Sequence, residues 1–182
     1  MILLKEVTKS FEDKEVLKGI STVFETGKIN LVIGASGHGK SVLMRSMVGL
    51  IDIDNGSISY DSRVLDFENY DQTREIRRDI GMLFQGAALF NSFSVEANVE
   101  FPLKMFTKMT KEERLDRVNF CLKHVNLENV NKKFPAEISG GMKKRVGIAR
   151  AIALDIKYLF CDEPNSGLDP ITSRVIDNLI KD

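Results

Sequence analysis

The sequence predicts an α/β fold in which a helical segment is inserted into the core. Three features support this prediction. The apolar run Ile29 to Ile33 reads as a buried strand, and the glycine-rich stretch 34–41 and a helix-like pattern follow it. Two further apolar runs, Ile80 to Phe84 and Tyr158 to Cys161, also have the length and composition of buried strands. Residues 86–154, between those two runs, carry helical periodicity.

The first part of the chain predicts an antiparallel β subdomain. Residues 2–7 and 16–24 are rich in Ile, Leu, Val, Phe and Thr, and the polar stretch 12–14 separates them. This pattern is typical of a hairpin. Phe11 lies between the two predicted strands. It is either a core residue or a platform for a nucleobase, and its position alone does not decide between the two.

Residues 34–41, Gly-Ala-Ser-Gly-His-Gly-Lys-Ser, match the spacing G-x-x-x-x-G-K-[ST] between a predicted strand and a predicted helix. In such a loop, consecutive N–H groups turn inward around phosphate oxygens. Lys40 is predicted to reach the β- and γ-phosphates, and Ser41 to offer its hydroxyl to Mg²⁺. The following helix directs its positive end at the anion. The alternative is an ordinary glycine-rich turn, which the motif and its context together disfavour.

Two strands of the core are predicted to end in polar residues. The strand at 80–84 ends at Gln85, where ligands of open α/β sheets bind. The strand at 158–161 ends at Asp162 and Glu163. Asp162 is predicted to help hold the water shell of Mg²⁺, and Glu163 to orient or deprotonate an attacking water. The alternative is a solvated strand terminus.

The inserted segment contains two predicted helices. Residues 94–106 form one that Pro102 interrupts, and residues 111–125 form a second that starts with the capping-box pair Thr110 and Glu113. Seven apolar side chains are concentrated in the first part of the insertion: Leu89, Phe90, Phe93, Phe101, Leu103, Met105 and Phe106. They either form the core of the insertion or line an exposed groove for a partner.

Other stretches predict a charged surface segment and the starts of two further helices. The charged segment 68–79 is helical or irregular, with Arg77 and its neighbouring arginines facing solvent. The stretch 139–141, Ser-Gly-Gly, precedes a helix at 142–154 and is a second potential anion site, although most such turns are only turns. Pro170 fits the first position of a last helix, which runs from Ile171 to the end.

Taken in order, these motifs resemble those of the ATPase subunits of ABC transporters, and the resemblance covers essentially the whole chain. It implies a P-loop NTPase with a RecA-like core, an N-terminal antiparallel β subdomain and an inserted α-helical subdomain. The chain would then be one domain, with residues 1–85 and 155–182 as core and β subdomain and 86–154 as the helical subdomain. The matching motifs are Walker A at 34–41, the Q-loop Gln85, the signature at 138–142, Walker B at 158–162 with the catalytic Glu163, and the D-loop at 166–169.

The resemblance implies ATP and Mg²⁺ as ligands and assigns a role to each site residue. The catalytic residues would be Glu163, Gln85 and Lys40, and the metal-binding residues Ser41, Gln85 and Asp162. The nucleotide-binding residues would be Phe11 as adenine platform, Gly34, Ser36, Gly37, Gly39, Lys40, Ser41 and Val42, with Ser139, Gly140 and Gly141 acting from another copy. In the family, two subunits pair head to tail, so a homodimer is expected.

Two departures from the family pattern are present. Met142 replaces the usual Gln of the signature, and His38 occupies a loop position that commonly carries a small residue; we expect His38 to face solvent. In its signature Met142 and in three short stretches, 84–90, 101–103 and 169–172, the sequence is similar to the ATPases of Mla-type transporters. Those transporters move phospholipid with a permease and an MCE-domain protein. We therefore expect lipid transport, with the permease seated in the groove near 86–106. An importer ATPase for phosphate, amino acids or metals, or a soluble ABC ATPase, is the alternative.

Charge and hydropathy narrow the class of protein. The chain has 182 residues with 26 basic and 26 acidic side chains, so no overall field attracts nucleic acid, and no nucleic-acid partner is expected. No apolar run approaches the ~20 residues that span a bilayer. We expect a peripheral subunit on the cytoplasmic face of the inner membrane. Cys121 and Cys161 have no paired spacing and are predicted to be reduced thiols used for packing.

The resemblance also implies a switch histidine one strand beyond Walker B. The sequence ends at Asp182, in the predicted helix after the D-loop, and neither His38 nor His124 stands at that position. From this we expect a chain that is incomplete at its C-terminus, and that binds nucleotide but hydrolyses it inefficiently.

Overall fold

The computed structural model describes residues 1–181, which form two compact units, one at 1–77 and one from Arg78 onward. The first unit contains β1 (Ile2–Phe11), β2 (Lys14–Phe24), α1 (Lys40–Met47), β3 (Asn55–Tyr60), β4 (Arg63–Val64) and α2 (Tyr70–Arg78). The second contains β5 (Ile80–Leu83), α3 (Val95–Phe106), α4 (Lys111–His124), a 3₁₀ turn (Pro135–Glu137), α5 (Gly140–Ala151), β6 (Tyr158–Cys161) and α6 (Pro170–Lys181). The predicted helix from Ile171 is confirmed to Lys181, and Asp182 lies outside the described residues.

The first unit is built on the predicted hairpin. Ile2 pairs with Phe24 at one end of β1 and β2, and Phe11 pairs with Lys14 across the turn at the other. The sheet is antiparallel, with strand order β2–β1–β3–β4. Leu4, Leu17 and Ile58 are buried in its core. The predicted N-terminal antiparallel β subdomain is therefore confirmed.

Two side chains bond to the carboxyl end of α1. The Tyr60 hydroxyl, fully buried, donates to the Met47 carbonyl over 2.7 Å. The Arg77 guanidinium donates to the carbonyls of Val48, over 3.2 Å, and Gly49. The prediction that Arg77 faces solvent is wrong, because the last carbonyls of a helix lack helical partners and attract a cation.

The apolar run 29–33 differs most from expectation. The prediction of a buried strand there is wrong: the segment adopts no regular structure and is no part of the antiparallel sheet. Leu31 is 81% exposed and Ile33 is 82% exposed. An apolar run indicates which side chains are suited to burial, but a strand also needs a neighbouring strand for its N–H and C=O groups, which periodicity does not supply.

The second unit has a two-stranded parallel sheet, with Ile80 opposite Tyr158 and Leu83 opposite Cys161. Both strands lie where the sequence predicts them. The three helices α3, α4 and α5 contribute to one apolar core that includes the end of β5. Its fully buried members include Leu83, Val95, Val99, Val118, Cys121, Val146 and Ala149.

Helices α3 and α4 begin as their sequences predict. Thr110 and Glu113 exchange the two hydrogen bonds of a capping box. The prediction that Pro102 interrupts the first helix is wrong, because α3 continues through it from Val95 to Phe106. Burial of Val99 and Leu103 on either side of the proline keeps this helix against the core despite the lost N–H donor. Within residues 1–181, no helix combines the length and the apolarity needed to cross a bilayer.

Candidate functional site

The glycine-rich loop of the first unit leads directly into α1, which begins at Lys40. Gly37 and Gly39 have left-handed backbones, with φ of +77° and +83°. A Cβ on Gly39 would lie 2.9 Å from Val16 Cγ1 and 3.2 Å from the Val16 carbonyl. A larger residue at 39 would therefore be strained and would push the loop away from β2, so the start of α1 is fixed by this glycine.

Lys40 closes the loop on itself. Its Nζ donates to the Gly34 carbonyl over 2.7 Å and to the Ala35 carbonyl over 2.9 Å. Ser41 and Val42 follow in the first turn of α1, where backbone N–H groups have no helical acceptor. The predicted residues from Gly34 to Val42 thus form one continuous loop and helix start. The loop carbonyls hold the ammonium group of Lys40 in place, and this arrangement is suited to binding a phosphate.

Two further predicted positions of the first unit lie at its surface. Phe11 ends β1 at the hairpin turn and is 45% exposed, with Lys9 Nζ 5.6 Å from its ring centroid. An exposed ring at a strand end is available for stacking, so its role as an adenine platform stays a prediction. His38 is exposed, as expected.

The second unit brings Gln85 and Glu163 together. Because Leu83 pairs with Cys161 in the parallel sheet, these two residues follow their strands at matched positions. Gln85 Nε2 donates to Glu163 Oε2 over 2.7 Å, and Ser166 Oγ lies 3.4 Å from the same nitrogen. The Glu163 carboxylate is therefore held at the carboxyl edge of the sheet and remains exposed.

Asp162 precedes Glu163 in the chain and is buried, at 6% exposure, with its backbone N–H donating to the Leu83 carbonyl over 2.9 Å. Its side-chain carboxylate is the kind of ligand that Mg²⁺ takes from proteins. The described residues contain no cluster of three or more His, Cys, Asp or Glu side chains that could hold a metal alone. A single carboxylate at Asp162 fits an ion that takes most of its ligands from phosphates and water.

The stretch 139–141 starts helix α5. Ser139 is its N-cap, and the serine Oγ accepts a hydrogen bond from the Met142 N–H over 3.3 Å. A Cβ on Gly140 would meet no atom within 4 Å, whereas one on Gly141 would lie 2.5 Å from Thr172 Cγ2 in α6. The two glycines therefore differ: Gly140 faces open space, and Gly141 allows α5 and α6 to approach.

This contrast gives a stability prediction. Thr172 cannot easily move, because its Oγ1 donates to Asp169 Oδ2 over 2.5 Å and its N–H to Asp169 Oδ1 over 3.0 Å. We expect Gly141→Ala to lower the free energy of unfolding by about 1–3 kcal/mol, as other overpacking substitutions do. Gly140→Ala should leave it within about 0.5 kcal/mol of its original value. Denaturant unfolding of both variants measures the difference.

The double variant Gly141→Ala, Thr172→Ser is the control, since it removes the opposing Cγ2. It should recover most of the loss. Equal stability of the two single variants would contradict the packing role of Gly141.

Three residues with a candidate functional role were not predicted from the sequence. Lys144, in α5, is buried at 5% exposure, and its Nζ donates to the Gln85 carbonyl and, over 3.4 Å, to the Glu163 carbonyl. Burial lowers the pKa of Lys144, while the neighbouring carboxylates of Glu163 and Asp162 oppose that shift. The signal was present in the sequence: a lysine three and four residues before Gly147 and Ile148 lies on the buried face of the helix.

The other two, Asn98 and Arg150, shape the loop before α3. The Asn98 amide, fully buried, accepts from the Phe90 N–H over 2.9 Å and donates to the carbonyls of Phe90, Phe93 and Ser94. Arg150 donates to the carbonyls of Ala87 and Ala88 over 2.7 and 2.8 Å. A buried amide and a guanidinium with carbonyl partners indicate a fixed loop conformation.

That loop and helix α3 together present an aromatic surface, which we define as Phe90 and Phe93 of the loop and Phe101 of the helix. The Phe90 ring centroid lies 5.1 Å from that of Phe93 and 4.9 Å from that of Phe101. Phe90 is 42% exposed, and Met105 nearby in α3 is 54% exposed, whereas Leu103 is buried. The predicted apolar set therefore divides between core and surface.

The cysteines have the expected packing role. Burial raises the pKa of Cys161 to about 11 and also raises that of Cys121, so both thiols stay protonated at neutral pH. No disulfide joins them, as both are free.

Comparison with known proteins identifies a family over most of the chain. The protein-family model described as "ABC transporter" matches residues 17–166. A probable ribonucleotide transport ATP-binding protein, mkl, of Mycobacterium leprae is 41% identical over 100% of this chain and 52% of its own length. The methionine import ATP-binding protein MetN of Clostridium tetani is 44% identical over 100% of this chain and 57% of its own length. The chain thus spans about half the length of the curated relatives it matches.

Solved structures match the same fold. A dimeric, post-hydrolysis state of the ATP-binding cassette MJ0796 bound to ADP and Pi has a TM-score of 0.90 and 32% identity, over 99% of this chain and 81% of that one. The protein cbiO1 from Clostridium perfringens, part of the ABC transporter complex cbiONQ, has a TM-score of 0.87 and 31% identity, over 99% and 72% of the two chains.

Proposed function

The chain belongs to the ABC transporter family, and from this premise we propose that it binds and hydrolyses ATP to power a membrane transporter. The observation that carries the proposal is the Gln85–Glu163 pair. It places an exposed carboxylate, held by a 2.7 Å hydrogen bond, at the carboxyl edge of a parallel sheet. A carboxylate fixed in this way is suited to accept the proton of an attacking water.

The proposed reaction divides the work among the predicted residues. The N–H groups from Gly34 to Val42 bind the phosphates, and Lys40 exchanges its loop carbonyls for β- and γ-phosphate oxygens. Glu163 takes a proton from water as the water oxygen bonds to the γ-phosphorus and the bond to the bridging oxygen breaks. Ser41, Gln85 and Asp162 would hold Mg²⁺, and the ion would neutralise part of the phosphate charge. Phe11 stacks on the adenine.

A second copy of the chain completes the proposed site. Gly140 faces open space at the start of α5, where N–H groups without helical acceptors can meet an anion brought by another molecule. The dimeric MJ0796 structures support pairing of two copies, and the pairing that we propose is head to tail. Ser139, Gly140 and Gly141 of one copy would then cover the ATP held by the other.

The membrane partner is proposed to be a permease that binds the aromatic surface. Phe90 and Met105 expose apolar area that a folded protein otherwise buries. The bonds from Asn98 and Arg150 hold the loop that presents it, so little ordering is needed on binding. In this arrangement the subunit lies peripherally on the cytoplasmic face of the membrane.

The cargo has two candidates. Met142 and the stretches 84–90, 101–103 and 169–172 favour phospholipid, by their similarity to Mla-type ATPases. The functions for which the relatives are named, methionine import and probable ribonucleotide transport, favour a small solute instead. Neither of these two names concerns lipid.

Purification of the native complex tests the proposal. Co-purification with an integral-membrane protein and ATP hydrolysis by the complex are expected, whereas co-purification with RNA would support the soluble alternative. Extraction and mass spectrometry of bound lipid, beside uptake of labelled methionine and nucleosides in vesicles, separate the two cargo classes.

A further inference from the structure

Lys144 is a buried cation to which the proposed reaction gives no role. Its Nζ contacts two backbone carbonyls, those of Gln85 and Glu163. Lysine rarely lies at 5% exposure unless its charge is paired or hydrogen-bonded. The position of this ammonium group therefore needs a reason beyond filling the core, since a methionine or leucine would fill the same space at lower cost.

The two carbonyls lie at equivalent positions just after two paired strands. Leu83 is opposite Cys161, and Gln85 and Glu163 each follow two residues later. The same two residues are joined through their side chains by the 2.7 Å bond from Gln85 Nε2 to Glu163 Oε2. Lys144 thus links the backbones of Gln85 and Glu163, and the amide–carboxylate hydrogen bond links their side chains. Both the backbones and the side chains of the pair are therefore held in place.

The Glu163 backbone gives an independent reason for such support. Its φ is +47°, in the left-handed region that residues with a Cβ rarely adopt. A conformation of this kind persists only where its surroundings hold it. The Glu163 carbonyl accepts from Lys144 and, over 3.1 Å, from the Ser166 N–H, so two donors stabilise this turn.

We propose that Lys144 is a positioning residue, whose ammonium group holds the Gln85 and Glu163 backbones in the arrangement in which Glu163 activates water. Because Lys144 stands on α5, five residues after the N-cap Ser139, it also connects that arrangement to the helix start that meets the nucleotide of the second copy. The inference rests on the proposed function and adds to it a residue that touches neither ATP nor water.

Three substitutions in the full chain test the assignment. Lys144→Met keeps most of the length of the side chain and removes both hydrogen bonds. Lys144→Arg keeps the charge and the donors, and Lys143→Met is the matched control one residue earlier on α5. ATP affinity is measured by equilibrium binding, and the hydrolysis rate by single-turnover assay with labelled ATP. Thermal unfolding of each variant is recorded beside them.

We expect Lys144→Met to lower the single-turnover rate by about 10- to 100-fold, the size of effect that small displacements of catalytic groups produce. Its Kd for ATP should stay within about 3-fold of the original, a margin well under one decade of affinity. Lys144→Arg should recover most of the rate, and Lys143→Met should lose none. If Lys144→Met does not fold, Lys144→Gln replaces it and should also lose rate while it retains ATP affinity.

An unchanged rate in a folded Lys144→Met or Lys144→Gln variant overturns the proposal. A rate in Lys144→Arg as low as in Lys144→Met also overturns it, because the donors would then have no part in turnover. Absence of hydrolysis by the unmodified chain in its native complex defeats the proposed function itself and this inference with it. If the unmodified chain hydrolyses ATP and the Lys144 variants do so at the same rate, only the role of Lys144 is defeated.

Discussion

Replacing Glu163 with glutamine is expected to reduce single-turnover ATP hydrolysis by about 10²- to 10³-fold, the contribution typical of a general base. Glutamine has the same shape, and its amide oxygen can still accept the 2.7 Å hydrogen bond from Gln85. The substitution therefore removes proton acceptance and leaves the geometry of the pair in place. ATP affinity should be retained or increased, because the substitution removes a negative charge and ATP is an anion.

Glu128→Gln is the matched control, since Glu128 is an exposed carboxylate in the same unit. It should leave both rate and affinity unchanged. Labelled ATP is bound and then chased with unlabelled ATP, so that ATP binding and the hydrolysis rate are measured in one experiment. A Glu163→Gln variant that hydrolyses ATP at the original rate would show that another group accepts the proton.

Lys40→Ala is expected to weaken ATP binding by about 10- to 100-fold, since a hydrogen bond to a charged group contributes about 1.5–3 kcal/mol. The structure adds a second cause. Lys40 Nζ also bonds to the Gly34 and Ala35 carbonyls, so alanine would loosen the loop that presents its N–H groups. Part of the loss should therefore appear as greater mobility of the loop, measurable as faster amide hydrogen exchange from Gly34 to Gly39.

Lys5→Ala is the control, because Lys5 is exposed on β1 in the same unit. Isothermal titration with ATP compares the two variants. Retained affinity in Lys40→Ala together with lost affinity in Glu163→Gln, the reverse of the expected pattern, would contradict both role assignments.

Local sequence signals predicted several parts of the fold because their causes are local. The capping box at Thr110 needs only residues three positions apart, and the hairpin needs two strand-forming runs and a polar turn. The positions of β5 and β6 were also predictable, and with them the polar residues that follow. Their meeting across the sheet follows from parallel pairing at matched register.

Other parts depend on partners that a linear pattern does not specify. The run 29–33 has the composition of a strand but belongs to neither of the two sheets. Arg77 and Lys144 belong to charged stretches, yet each is directed to backbone carbonyls. Long polar side chains of this kind are assigned to solvent by composition alone, and only the fold identifies their acceptors.

The register of β5 and β6 sets a limit on how this site can change. Gln85 and Glu163 meet because each follows its strand by the same number of residues. Inserting a single residue after either strand would turn one side chain to the opposite face and separate the pair, although neither residue had been replaced. The chemistry is thus encoded as much in a count of residues as in their identity, so substitutions can tune this site while insertions at the strand ends abolish it.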